Sequence, residues 1–168
     1  GLSGDSLTIL SGDIYTNTDL FMVDEFDMQG GSLTVDAANV TDCTGIYADL
    51  GVDISGGVVT IKSGSAGIFV PGIAQGGDKT VAITGGEVTI SSAVGINGNS
   101  VLIDTDGSVD ITGSKAALAL TKGKNGRLDI LSAGEIRIQG DISMNGNPGE
   151  PNIAAADYKR VDDAVAAV

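Results

Sequence analysis

Two groups of side chains in this 168-residue chain have types and spacings that could do chemistry. Tyr15, Tyr47 and Phe69 each follow an isoleucine, as Ile14-Tyr15, Ile46-Tyr47 and Ile68-Phe69. They are three of six aromatic residues in the whole sequence. Exposed together, such flat faces are surfaces on which ring-shaped groups, sugars among them, can stack. The competing reading is that they pack on one another as a satellite cluster. The second group is Asp104-Thr105-Asp106-Gly107-Ser108-Val109-Asp110, where Asp104, Asp106 and Asp110 surround a glycine turn. Hard cations want several carboxylate oxygens, so calcium is the ion this set would take. It lacks a glutamate at EF-hand spacing, and Asp-x-Asp-Gly is an ordinary turn sequence, so a structural turn is the favoured reading.

Composition removes most other chemistry. There is no histidine, so no Ser–His or Cys–His triad and no imidazole-bound zinc or copper can form. Cys43 is alone, which rules out an internal disulfide, and its Thr-Asp-Cys-Thr setting supplies the wrong charge to activate a thiolate. It reads as a small packing residue. Nine basic against twenty-two acidic side chains leave a net charge of 9 − 22 = −13. That balance argues against nucleic acid or anionic lipid as a partner. With no run of about 18 apolar residues, no membrane insertion is expected. A lyase needs a base near calcium-bound acids and a hydrolase needs paired carboxylates. No column of carboxylates facing Lys or Arg is evident apart from Asp110 beside Arg137, which reads as a surface ion pair. The chain is not expected to be an enzyme.

The elements that would position these residues come from an internal repeat. One phrase recurs as Gly4-Asp5-Ser6-Leu7-Thr8-Ile9, Gly30-Gly31-Ser32-Leu33-Thr34-Val35, Gly56-Gly57-Val58-Val59-Thr60-Ile61 and Gly85-Gly86-Glu87-Val88-Thr89-Ile90. Looser copies follow at Gly107–Ile111 and Gly134–Ile138. The threonine-equivalent positions 8, 34, 60, 89, 110 and 137 are separated by 26, 26, 29, 21 and 27 residues. Two weaker phrases keep the same register. Val52-Asp53-Ile54, Val81-Ala82-Ile83, Val101-Leu102-Ile103 and Leu128-Asp129-Ile130 precede the glycines. Gly45-Ile46-Tyr47, Gly67-Ile68-Phe69, Gly95-Ile96-Asn97 and Ala117-Leu118-Ala119 form the other.

Three short strands per repeat, bent at glycines, describe an all-β, right-handed parallel β-helix (a solenoid) of about six three-stranded coils. Period-2 alternation sends Val52, Ile54, Val59, Ile61 and Ile68 inward and leaves Asp53, Thr60 and Phe69 outward. The same rule places Tyr15, Tyr47 and Phe69 in one outward column on the first three coils. The threonines 8, 34, 60 and 89 form an outward ladder, too irregular in its neighbours for an ice-binding array, and read as cross-strand pairs. Residues 16–29 read as one strand plus a protruding, partly apolar loop, and 36–44 as the longest excursion after a double-glycine strand. The solenoid is expected over 1–146, a breaker-rich linker over 147–152 and a short C-terminal helix over 153–168, capping the solenoid or starting a following module. Tyr158, Val161, Val165 and Val168 lie on one face of that helix.

The phrase Gly-Ile-x-Ala-x-x-x-x-Asp-Ile-x-Gly-Gly-x-Val-Thr-Ile, from Gly45 to Ile61, resembles the carbohydrate-binding β-helix family of clostridial cell surfaces. The likeness covers roughly residues 30–112. It implies binding of cellulose- or pectin-type polysaccharide, with calcium on the coils. Where that family carries acids before its Gly-Ile unit, this chain has Thr44, Ala66 and Val94, so no cofactor is expected, with calcium kept as the alternative. Residues Ala156 to Val165 resemble the opening of small helical repeats in large bacterial surface proteins. Together these imply an excised piece of an extracellular, cell-surface or wall-attached protein of a Gram-positive bacterium. Its expected partners are a plant or host glycan and neighbouring modules of the same chain. The alternative is a structural spacer or adhesin stalk with no ligand of its own.

Overall fold

The computed structural model of the protein describes residues 2–18, 21–71, 80–120, 127–144 and 152–153. Within them the chain forms strands β1 (Leu2–Ile9), β2 (Asp13–Thr16), β3 (Phe21–Met28), β4 (Ser32–Ala37), β5 (Ile46–Ile54), β6 (Val58–Ser63) and β7 (Ala66–Phe69). These are followed by β8 (Thr80–Ile83), β9 (Glu87–Gly98), β10 (Ser100–Leu120), β11 (Arg127–Gln139), β12 (Ile142–Met144) and β13 (Asn152–Ile153). All belong to one sheet, and every pairing among the described residues is parallel. The described residues contain no helix.

The pairs fall into three ladders, one for each sequence phrase. In the first, Phe26, Val52, Val81, Val101 and Leu128 stand in register, two residues ahead of Met28, Ile54, Ile83, Ile103 and Ile130. In the second, Leu33, Val59, Val88, Val109 and Ile136 align, again with a parallel file formed by Val35, Ile61, Ile90, Ile111 and Ile138. In the third, Ile46, Ile68, Ile96, Leu118 and Ile142 align. β10 alone runs through all three. These files are the core, and their members are almost fully buried. Each such side chain contributes about 1.5–3 kcal/mol, and β-branched residues suit the extended backbone because their stiff χ1 costs least there.

The double glycines do two different jobs at the corner between the first and second ladders. A Cβ on Gly30, Gly56 or Gly85 would run into the carbonyl oxygen of Leu10, Gln29 or Ser55, the residue that follows β1, β3 or β5. The second glycines, Gly31, Gly57 and Gly86, have φ of 78°, 81° and 76°, where a side chain is strained. The close approach lets one carbonyl serve two donors. Met28 O accepts from Ser55 N at 2.8 Å and Gly56 N at 3.2 Å, and Ile54 O accepts from Thr84 N at 2.8 Å and Gly85 N at 3.2 Å.

The first repeat departs from the expected register. Leu7, Thr8 and Ile9 pair with Phe26, Asp27 and Met28, so β1 ends in the first ladder and not in the threonine ladder. Its corner is Ser11-Gly12, with Gly12 at φ 90°, and the strand after that corner is β2. Residues 21–28, expected to be partly a loop, are a full strand that buries Val23, Phe26 and Met28. At the other end β13 adds Asn152 and Ile153 to the first ladder, in the stretch expected to be linker and helix start. Residues 154–168, and with them the rest of the expected helix, lie outside the described residues.

Candidate functional site

The three aromatics expected in one column are not in one column. Tyr15 lies in β2 and pairs with Thr34, which puts it at the foot of the outward threonine file Thr34, Thr60 and Thr89 on the second ladder. It is 67% exposed there. Tyr47 and Phe69 do share a column, in register on β5 and β7 of the third ladder. The residue that completes it below is Met22, paired with Tyr47 and 65% exposed. Above Phe69 the column continues as Asn97, Ala119 and Ser143.

Tyr47 and Phe69 touch each other. Their ring centroids are 5.4 Å apart and their planes cross at 81°, an edge-to-face contact. Both are half-buried. The two rings therefore do not form one flat floor; each retains its own orientation, with Met22 the next residue below in the column. The Tyr47 hydroxyl is bonded to the Asp49 carboxylate. Burial, that bond and the negative charge of Asp49, in that order, push the Tyr47 hydroxyl above its ordinary pKa.

Just beyond Asp49 the strands turn from the third ladder into the first. Between Val23↔Ala48 and Glu25↔Gly51, β3 has one residue, Asp24, where β5 has two, Asp49 and Leu50. This is a bulge, and the extra residue is thrown outward: Leu50 is 45% exposed. Leu50 and Gly51 form one wall of a groove of about 410 Å³, whose other outward residues are Glu25, Asp27, Asp53 and Ala82. Asp27 and Asp53 are paired on β3 and β5, with their flanking neighbours Phe26, Met28, Val52 and Ile54 buried, so both carboxylates project from the same outer side. Gln29 Nε2 donates to Asp27 Oδ2 at 2.5 Å. Desolvation first, and the charge of Asp27 second, raise the pKa of Asp53. These groove residues did not stand out in the sequence. A signal existed: Asp27-Met28-Gln29-Gly30-Gly31 and Asp53-Ile54-Ser55-Gly56-Gly57 place an acid at the same distance from the same corner.

Asp104, Asp106 and Asp110 are not gathered into one cage. Asp104 and Asp106 are exposed on either side of Thr105, which is buried and whose hydroxyl oxygen accepts from Gly107 N at 3.0 Å. That is a turn held by its own threonine. Asp110 sits on the second ladder, where Arg137 Nη1 approaches its Oδ2 at 3.4 Å. Among the described residues no three acidic or thiol side chains converge closely enough to hold a metal ion. Cys43 is buried in the core cluster.

What the arrangement offers chemically is an outer face on which Met22, Tyr47 and Phe69 stand in one column across β3, β5 and β7, separated by the exposed acids Asp24 and Asp49 from a groove that Leu50 and further carboxylates edge. A scan against protein-family models, a search of curated proteins and a search of solved structures each found no match.

Proposed function

We propose that the chain winds as a right-handed parallel β-helix of about six three-stranded coils, and that it is a non-catalytic polysaccharide-binding module of a bacterial surface protein. Support for the winding comes from the register: each phrase returns to its own ladder, always parallel, once per repeat. The right hand follows from the crossover preference of parallel strands. The single observation that carries the binding reading is the placement of Tyr47, Phe69 and Met22 on adjacent rungs of one outer face. Aromatic faces gathered in one place on a surface offer apolar contact to the faces of sugar rings. Attachment to a Gram-positive cell surface rests on the sequence resemblance of residues 156–165, which lie outside the described residues.

A second reading has its own observation. Tyr47 and Phe69 satisfy each other edge-to-face, as side chains of a ligand-free spacer or adhesin stalk would. A hydrolase is the less favoured reading, because the groove holding Asp27 and Asp53 is open and Asp53 is exposed.

The test is retention of the purified chain on a panel of soluble and insoluble polysaccharides, with calcium and with chelator. Retention by one glycan class, lost in the Tyr47→Ala/Phe69→Ala double variant and kept in Tyr15→Ala, supports the binding module. No retention on any glycan favours the spacer. Release of new reducing ends from a retained glycan would replace the module with a hydrolase.

A further inference from the structure

The aromatic face is smaller than the column that carries it. Below Tyr47 stand Met22 and Ser3, above Phe69 stand Asn97 and Ala119, and none of these four is a ring. A platform for a run of sugar rings needs aromatic faces repeated in one plane from rung to rung. Here the two planes cross at 81° with centroids 5.4 Å apart. In an edge-to-face pair, the ring that presents its face has that face covered by the edge of the other. Its plane stands across the line joining the centroids, and that line runs from rung to rung up the column. One ring is thus a wall across the column, and the other is the only floor. A sugar stacked on the floor abuts the wall, so no second sugar can follow it there in the same plane. The floor does not continue along the strands either. After Tyr47 the exposed residues of β5 are Asp49, bonded to the Tyr47 hydroxyl, and the bulged Leu50, while β7 ends at Phe69. Tyr15 belongs to the second ladder.

We infer that this face takes one sugar ring at a time, and not an extended run of rings. The inference rests on the polysaccharide-binding reading and narrows the form in which the glycan is recognised. Floor and wall meet a single ring on two sides, by its face and by its edge. The bond to Asp49 holds the Tyr47 hydroxyl, so the corner is formed before a ligand arrives and little ordering remains to oppose binding. The ring can be the last of a chain or one within it; the two sources share the same contact.

The experiment uses the full chain and oligosaccharides, from monomer to hexamer, of cellulose, mannan, xylan, galactan and polygalacturonate. Calorimetry measures each affinity, and bead retention uses the parent polymers before and after partial cleavage. The expected result is binding in at least one series, with affinity rising by at most about threefold from dimer to hexamer, the ratio of rings offered to a one-ring site. No rise, with retention that grows as cleavage adds chain ends, identifies terminal rings. A rise in proportion to length, with retention indifferent to cleavage, identifies rings anywhere in the chain. Tyr47→Ala and Phe69→Ala should each lose about tenfold, since one removes the floor and the other the wall, and Tyr15→Ala should lose under about twofold. Circular dichroism establishes that each variant is folded. A steeper rise with length, or a polymer retained with no oligosaccharide bound, would overturn the inference and leave the binding reading standing if Tyr47→Ala/Phe69→Ala abolishes it. Binding untouched by that double variant, or no binding of any glycan, removes the inference and the reading together.

Discussion

Asp53 stands directly opposite Asp27 on the neighbouring parallel strand, like charge against like charge on one outer side. Because burial and that neighbour raise the pKa of Asp53 above its ordinary 3.8, the folded chain holds its proton more tightly than the unfolded chain does. Stability owed to this group therefore falls as pH rises from below 3.8 through the raised value, and is level above it. Asp53→Asn should stabilise the fold by roughly 0.2–1 kcal/mol at pH 7, and the gain should fade on acidification through the carboxylate range. Urea unfolding at neutral and acid pH measures both limbs; a loss of stability at pH 7 would contradict the account.

Tyr47 gives the complementary case at the alkaline end. Its raised pKa means that its neutral form belongs to the fold, so its contribution is complete below the ordinary 10.0 and is lost as pH rises through the folded value. In an ultraviolet titration of the tyrosines, the Tyr47 step should come above 10.0, and Asp49→Asn should move it back toward that value. A Tyr47 step indifferent to Asp49→Asn would remove the hydroxyl–carboxylate bond from the description.

The glycines allow conformation and space to be tested apart. Gly12 has φ 90° but open space where a Cβ would go, so Gly12→Ala tests strain alone, at roughly 1–2 kcal/mol. Gly56 has no positive φ, but the carbonyl of Gln29 lies in the way, so Gly56→Ala tests crowding alone, at roughly 1–3 kcal/mol. Gly57→Ala carries both penalties and should be the worst of the set. Gly4→Ala meets nothing within 4 Å and serves as the near-neutral control. Thermal unfolding ranks the four.

The core and the surface should differ by several-fold in what a single truncation costs. Ile90→Ala empties a fully buried place between Ile61 and Ile111 and should cost about 2–5 kcal/mol. Arg137→Ala breaks an exposed 3.4 Å ion pair with Asp110 and should cost under about 1 kcal/mol, less still in high salt. Denaturant midpoints for the two variants make the comparison.

Much of the ladder structure was legible because each phrase carries its own corner. Gly56-Gly57-Val58-Val59-Thr60-Ile61 states where the chain turns, which residues face in and what they pair with, and the register found is the one those residues imply. The first repeat was misplaced because Gly4-Asp5-Ser6-Leu7-Thr8-Ile9 shares a local alternation with the double-glycine strands. Alternation fixes which side a residue faces, not which ladder it joins, and here the deciding signal was the later Ser11-Gly12 corner. That slip carried Tyr15 into the wrong column and hid Met22, the true neighbour of Tyr47. Phe21–Met28 read as half loop because Asp24 and Glu25 interrupt its apolar residues; at the turn between two ladders both acids face solvent at no cost. Leu50 could not be placed at all from the sequence, since a bulge is a mismatch between two strands and neither strand alone records it.

The parallel register also makes the molecule's length a free variable. If residues 58–86 were cut out and Gly57 joined to Glu87, Val88 and Ile90 would arrive over Leu33 and Val35, Val101 and Ile103 over Val52 and Ile54, and Ile96 over Ile46. Every newly adjacent inward pair is aliphatic on aliphatic, of the kind each had before. Such a chain could be shortened or extended by whole repeats over evolutionary time without redesigning its core contacts, each copy arriving with its own corner glycines. The face built from Tyr47 and Phe69 would be dismantled by this particular excision, since it belongs to no single repeat but to the succession of two, and the groove would lose Ala82 with it.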